Sequence, residues 1–174
     1  LTNILSAYAF KQDGRFIYLS SEAVYGRSYS SDIHETEPAS AKSFQAMALL
    51  QGENICRSYR DTRGMDTRIL RFDHMYGIPR KGKTDRNPCF WMTLEMLKTN
   101  QIAANSRTAF SMIYQDDAVA FAYRAMMEES PKYPLYHITS GEAITQMDLA
   151  ELIRQNADGV EIRDDTVGEG FRLV

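Results

Sequence analysis

Residues 15–21 read RFIYLSS, and residues 66–72 read DTRILRF. Both are short apolar runs of the kind that form strands buried in a parallel sheet. Between them, from about Ser40 or Ser43 to Arg60, Phe44, Met47, Ala48 and Ile55 recur at helical intervals, and Gly64 in RGMD ends the run. Strand, helix, strand in this order makes a βαβ unit with a right-handed crossover. The stretch therefore predicts an α/β fold. In such folds ligands sit at the carboxyl ends of the parallel strands, which here are Ser20-Ser21 and Arg71-Phe72.

The flanking sequence extends this pattern. A helix is expected from about Asn3 to Gln12, with Ile4, Leu5, Tyr8 and Ala9 at helical spacing and Gly14 of QDGR as a left-handed cap. The loop EAVYGRSYSSDIHETEPAS is long and polar. After the turn-rich basic loop MYGIPRKGKTDRNP, a helix from about Phe90 to Thr99 carries Trp91, Leu94 and Leu97. AFSMIYQ reads as a strand, and DDAVAFAYRAMMEE as a helix with Asp116 or Asp117 at its N-cap. PLYHITSG reads as a third short strand. TQMDLAELIRQNA is a helix capped by Thr145 with Asp148 three residues on, and VEIRDD is a last strand before GEGFRLV.

The 174 residues are 44% hydrophobic and 25% charged, enough for one sizeable core. A net charge of -3 with scattered basic residues offers no footprint for a nucleic-acid backbone. Cys56 and Cys89 are too few for a disulfide framework or a zinc site, and read as reduced packing residues in a cytoplasmic protein. No apolar run is long enough to span a bilayer, so no membrane partner is expected. His34, His74 and His137 have no second ligand at metal-binding spacing, so no metal site is expected. Leu1 stands where a Met would open a chain and already belongs to a helical pattern, which is how a sequence entered partway along a longer protein begins.

Five blocks occur in one order: FIYLSSEAVYG, ETEPASAKSFQAMALLQGENICRSY, GMDTRILRFDHMYGIP, MIYQDDAVAFAYRAM and YHITSGEAITQMDLAELI. Together they resemble the extended short-chain dehydrogenase/reductases, the NAD-dependent epimerase/dehydratase family that works on nucleotide sugars. The resemblance covers most of Phe16 to Ile153. It implies the carboxyl-terminal portion of a Rossmann-like, doubly wound parallel sheet with a small substrate-binding region. Residues 1–77 and 110–140 are then the second half of the Rossmann-like domain, with the catalytic-type helix at 43–60, and 78–109 and 141–174 are the substrate-binding segments. The family's Gly-rich phosphate loop is not in the sequence. A full member carries roughly 80 to 90 further residues ahead of the position of Leu1.

The resemblance also implies roles. The family's catalytic serine falls on Ser21. The family's Tyr-x-x-x-Lys helix carries a Glu four residues after its Lys; placing that Glu on Glu53 puts the Tyr position on Gln45 and the Lys position on Leu49. A glutamine amide does not titrate and a leucine supplies neither charge nor donor, so the family's proton transfer is not expected from this helix. Lys42 has Pro38 four residues before it, not a tyrosine. Ser20, Arg71 and Met75 are expected beside the cofactor, NAD or NADP. Glu22, Tyr25, His74 and Arg107 are expected beside a sugar-nucleotide-like substrate. Arg107 reads equally well as a surface arginine, and the usual arginine position near it is Phe110. A homodimer is the implied assembly. The alternative is a non-catalytic homologue that binds a ligand or serves as a structural module.

Overall fold

The structure is a computed structural model and describes residues 1–8, 14–26, 33–78, 87–107 and 109–165. Part of the expected first helix with its turn, the centre of the basic loop and the GEGFRLV end lie outside the described residues. The chain forms two compact units: Leu1–Arg27, Ile33–Asp73 and Asp116–Thr139 in the first, and Ser28–Asp32, His74–Gln115 and Ser140–Val174 in the second.

The first unit holds a parallel sheet in the order β1 (Arg15–Ser21), β2 (Asp66–Phe72), β6 (Leu135–Ile138). Between β1 and β2 runs helix α2, Phe44–Arg63. Ser43 caps it by accepting the Ala46 N–H, and Gly64 closes it at φ 66°, a left-handed conformation that glycine adopts without penalty. Helix α1, Thr2–Tyr8, places Leu5 in a core with Cys56, Met65, Ile69 and Leu135. Burial pushes the Cys56 thiol up to about 11, consistent with a packing residue.

The face that α2 buries differs from the expected one. Ala46, Gly52, Glu53 and Cys56 are buried, whereas Phe44 is 92% and Met47 46% exposed. Small and charge-paired side chains meet the sheet because the space there is taken: a Cβ on Gly52 would lie 2.0 Å from the Tyr18 hydroxyl oxygen. Of the residues expected on the apolar face, Ile55 packs partly buried against the core, whereas Phe44 and Met47 are turned to the exposed side.

Helix α4, Gln115–Met127, leads towards β6. Asp116 and Asp117 lie within its first turn, not at its N-cap, and there suit the positive end of the helix dipole. Its far end is fastened electrostatically: Arg68 and Arg15 donate to the carbonyls of Ala125 and Met126. Asp66 joins the two arginines, accepting from Arg15 Nε at 2.7 Å and from Arg68 Nε and Nη2 at 3.0 and 2.9 Å. Burial alone would raise the Asp66 carboxyl, but hydrogen bonds and charge from Arg68 and Arg15 hold it below the usual carboxylate range.

The second unit is built on short strands. β3 (His74–Tyr76) runs parallel to β5 (Ala109–Tyr114), β7 (Ala143–Thr145) runs antiparallel to β5, and β4 (Gln101–Ala104) pairs parallel with β8 (Glu161–Asp164). Helix α3, Pro88–Thr99, starts two residues before its expected Phe90 and is capped by Asn87. Helix α5, Gln146–Arg154, has the expected capping box, with Thr145 and Asp148 satisfying each other's backbone N–H groups. Met92, Ile102, Ala104, Phe110, Leu149, Ala150 and Val160 form the core.

Two outcomes are expected. Asp66→Asn leaves the fully buried Arg68 short of its counter-charge and destabilises the chain by about 2–4 kcal/mol in urea unfolding. Because the Asp66 carboxyl is held below its unfolded value, its contribution is complete above about pH 4 and is lost as pH falls through the lower folded value. The acid limb of the stability profile should flatten in the variant. Separately, Gly52→Ala should destabilise despite alanine's higher helix propensity, since the Tyr18 ring must move.

Candidate functional site

Strand register brings three polar residues into one row. Ser20 pairs with Arg71, and Arg71 with His137, so their side chains leave the same face of the β1-β2-β6 sheet. Helix α2 lays Glu53, fully buried, against this row. One Glu53 oxygen accepts from Ser20 Oγ at 2.7 Å and Arg71 Nε at 2.9 Å. The other accepts from Arg71 Nη2 at 2.6 Å and Arg57 Nη2 at 3.1 Å. The pairing of Glu53 with Arg71 is thus two-pronged, the geometry that best repays the desolvation of both ions.

The remaining arm of Arg71 reaches the strand-end turn. Its Nη1 donates to Tyr25 Oη at 2.5 Å, and its guanidinium carbon lies 4.7 Å from the centre of the Tyr25 ring. Tyr25 Oη is also 2.6 Å from His137 Nε2, with the two rings edge to face at 5.5 Å. Five side chains on β1, the turn, α2, β2 and β6 form one continuous polar chain. Burial draws the Arg71 pKa down, but the bonds and charge of Glu53 outweigh it and raise it, so the arginine is a fixed cation.

The turn itself is a single 3-10 segment, Glu22–Tyr25, begun by Ser21 and ended by Gly26 at φ 62°. Ser21 Oγ accepts the Ala23 N–H at 3.2 Å and donates to Glu22 Oε2 at 2.5 Å. Over it lies the segment entering α2: the Ser40 N–H donates to the Val24 carbonyl at 2.9 Å, and Glu35 accepts the His137 backbone N–H at 3.1 Å.

The residues expected at the site divide as follows. Ser20, Ser21, Glu22, Tyr25, Gln45, Leu49 and Arg71 belong to the first unit, and His74, Met75 and Arg107 to the second. Gln45 is exposed and Leu49 half-buried, two turns and one turn before Glu53 along α2. Arg71, expected beside the cofactor, is 2% exposed and donates to Glu53 and Tyr25. The Ser20 hydroxyl is likewise engaged by Glu53. Tyr25, the last residue of the turn, is as deeply buried. His74 packs its ring 5.7 Å from that of Phe110, Met75 is exposed on β3, and Arg107 is exposed with its N–H on Asn105 Oδ1 at 2.7 Å. Phe110 is a core residue.

Sequence reasoning missed the network as a unit and His137 within it. A signal was available: Arg68 and Arg71 flank Ile69-Leu70 in a strand read as buried, and a buried arginine requires an acceptor nearby.

The model of the family described as "NAD dependent epimerase/dehydratase family" matches residues 1–139. The Low-salt glycan biosynthesis protein Agl12 of Haloferax volcanii is 24% identical over 162 residues, covering 91% of this chain and 52% of that protein. The UDP-glucuronic acid 4-epimerase of Bacillus cereus, solved with UDP-glucuronic acid and NAD, superposes with TM-score 0.77 at 18% identity. That match covers 94% of this chain and 52% of the epimerase. The dTDP-glucose 4,6-dehydratase of Bacillus anthracis, solved with NAD, gives TM-score 0.77 at 14% identity over 92% of this chain and 52% of its own. The chain therefore spans about half the length of each of these proteins. At such identities the structural matches speak for the fold.

Arg71→Met should strand the buried Glu53 carboxylate and cost about 3–5 kcal/mol in chemical unfolding. Adding Glu53→Leu should recover most of the loss. Equal losses in the single and double variants would mean that the pair is not coupled.

Proposed function

This chain belongs to the NAD dependent epimerase/dehydratase family, and we propose that it is the carboxyl-terminal part of a nucleotide-sugar epimerase- or dehydratase-type protein without a working proton-transfer dyad. The observation that carries this reading is the seating of α2. Glu53 is locked to Arg71 and Ser20, which fixes the rotation of the helix about its axis. On that fixed helix the positions one and two turns earlier are Leu49 and Gln45. Neither side chain can hold or release a proton near neutral pH.

The residues present do not fit a nicotinamide cofactor. Leu49 offers a ribose no donor, and Arg71 and the Ser20 hydroxyl are bonded to Glu53 and Tyr25 within the protein. What the chain supplies is a strand-end hydroxyl, Ser21, held beside Glu22 on a turn made rigid by Tyr25 and Arg71. A hydroxyl so placed can bind and orient a sugar oxygen.

We assign the sheet segments, 1–77 and 110–140, to the Rossmann-like half and 78–109 and 141–174 to the substrate region. Exposure of Ile4, Phe44 and Met47 on α1 and α2 supports a homodimer through these helices. Among the described residues no helix is long and apolar enough to cross a membrane, and a cytoplasmic setting is part of the proposal.

Thermal unfolding with added ligands tests the binding half of this reading. UDP-glucuronic acid at about a hundred times its Kd should raise stability by about 2.7 kcal/mol, and NAD should raise it by nothing measurable. Stabilisation by NAD alone would falsify the cofactor-free reading, and no effect of the sugar nucleotide would favour the structural-module alternative. The dyad assignment has its own measurement. Gln45→Tyr together with Leu49→Lys sets a phenol one turn from an ammonium, and ultraviolet titration should show that phenol ionising below the ordinary value of about 10. The phenol of Gln45→Tyr alone should not shift downward.

A further inference from the structure

The polar chain that begins at Ser20 ends at His137, a half-buried residue to which nothing above gives a task. The Tyr25 hydroxyl has one proton and three polar neighbours: Arg71 Nη1 at 2.5 Å, His137 Nε2 at 2.6 Å and the His34 carbonyl at 3.3 Å. Arg71 can only donate, so it occupies the phenol oxygen as acceptor. Of the two acceptors within reach of the Tyr25 hydrogen, His137 Nε2 is the nearer and the His34 carbonyl the farther, so the short contact assigns that hydrogen to a bare Nε2. That describes a neutral imidazole with its hydrogen on Nδ1. A second ring proton would point an N–H at an oxygen already shared with a guanidinium, placing two cations on one phenol.

We propose that His137 is a proton-gated contact: neutral, it takes the Tyr25 hydrogen; protonated, its ring leaves Tyr25 for the carboxylates of Glu35 and Asp73, and Tyr25 donates to the His34 carbonyl instead. The charged and titratable groups around the ring come from every neighbouring element. Glu35 and His34 lie on the segment entering α2, Tyr25 on the turn, and Arg71 and Asp73 on and after β2. Burial opposes a charge on His137 most strongly; Glu35 and Asp73 favour it, Arg71 and His34 oppose it, and the balance lowers its pKa. Since the folded value lies below the unfolded one, the contact's contribution to stability is complete above about pH 6.5 and is lost as pH falls through the folded value. Each unit of depression makes the ring about tenfold harder to protonate in the folded protein. The gate would let mild acid alter the packing beneath the Ser21 turn while the pair of Glu53 with Arg71 stays intact.

Nitrogen NMR of the full 174-residue chain tests this directly. At neutral pH His137 should show a bare Nε2 and a protonated Nδ1, and its midpoint should lie below that of free histidine. Tyr25→Phe removes the donor that favours the neutral ring, so the midpoint should move upward. A hydrogen on Nε2 at neutral pH, a midpoint at or above that of free histidine, or no upward movement in Tyr25→Phe overturns the proposal. If Tyr25→Phe does not fold, the tautomer of the unaltered chain decides alone.

Discussion

The buried pair of Glu53 with Arg71 is the constraint on which the first unit depends. A carboxylate and a guanidinium taken out of water are costly unless each finds nearly all of its hydrogen bonds, and here Ser20, Arg57 and Tyr25 complete them. Because the partners lie on α2, β1, the strand-end turn and β2, the same bonds that neutralise the charges also fix where the helix sits. The turn bearing Ser21 and the helix bearing Gln45 and Leu49 are therefore held in one frame. Nothing in this frame requires a tyrosine or a lysine on α2.

Much of the fold was legible because its signals are local. The apolar runs at 15–21 and 66–72, the Ser43 cap, the Gly64 stop and the Thr145-Asp148 box each involve residues a few positions apart. β3, β4 and β7 were not legible, since three or four residues paired across long sequence separations carry no period of their own. The buried face of α2 was misread for a different reason. Burial of Gly52 depends on the Tyr18 ring, and burial of Glu53 on Arg71, and neither dependence is visible within a helical window.

For the site, sequence supplied positions and the structure supplied occupancy. The resemblance puts the Tyr and Lys positions on Gln45 and Leu49 by a register set on Glu53, and the serine position on Ser21 by the block before Val24. Whether Arg71 and Ser20 have hydrogen bonds left for a ligand could be learned only from the residues that fill them. Family resemblance and physical availability are thus separate questions.

The two arginines of β2 have one further consequence. They are three residues apart, so they leave opposite faces of the strand, Arg71 towards α2 and Arg68 towards the end of α4. Ile69 and Leu70 between them are both fully buried and, being alike, would tolerate a slip of one position. The arginines would not, because a slip would send each guanidinium to the face where the other's acceptors lie. Charge, not hydrophobicity, supplies the alignment of this central strand. An insertion or deletion of a single residue between positions 68 and 71 should therefore be tolerated far less well than replacement of either apolar residue by the other.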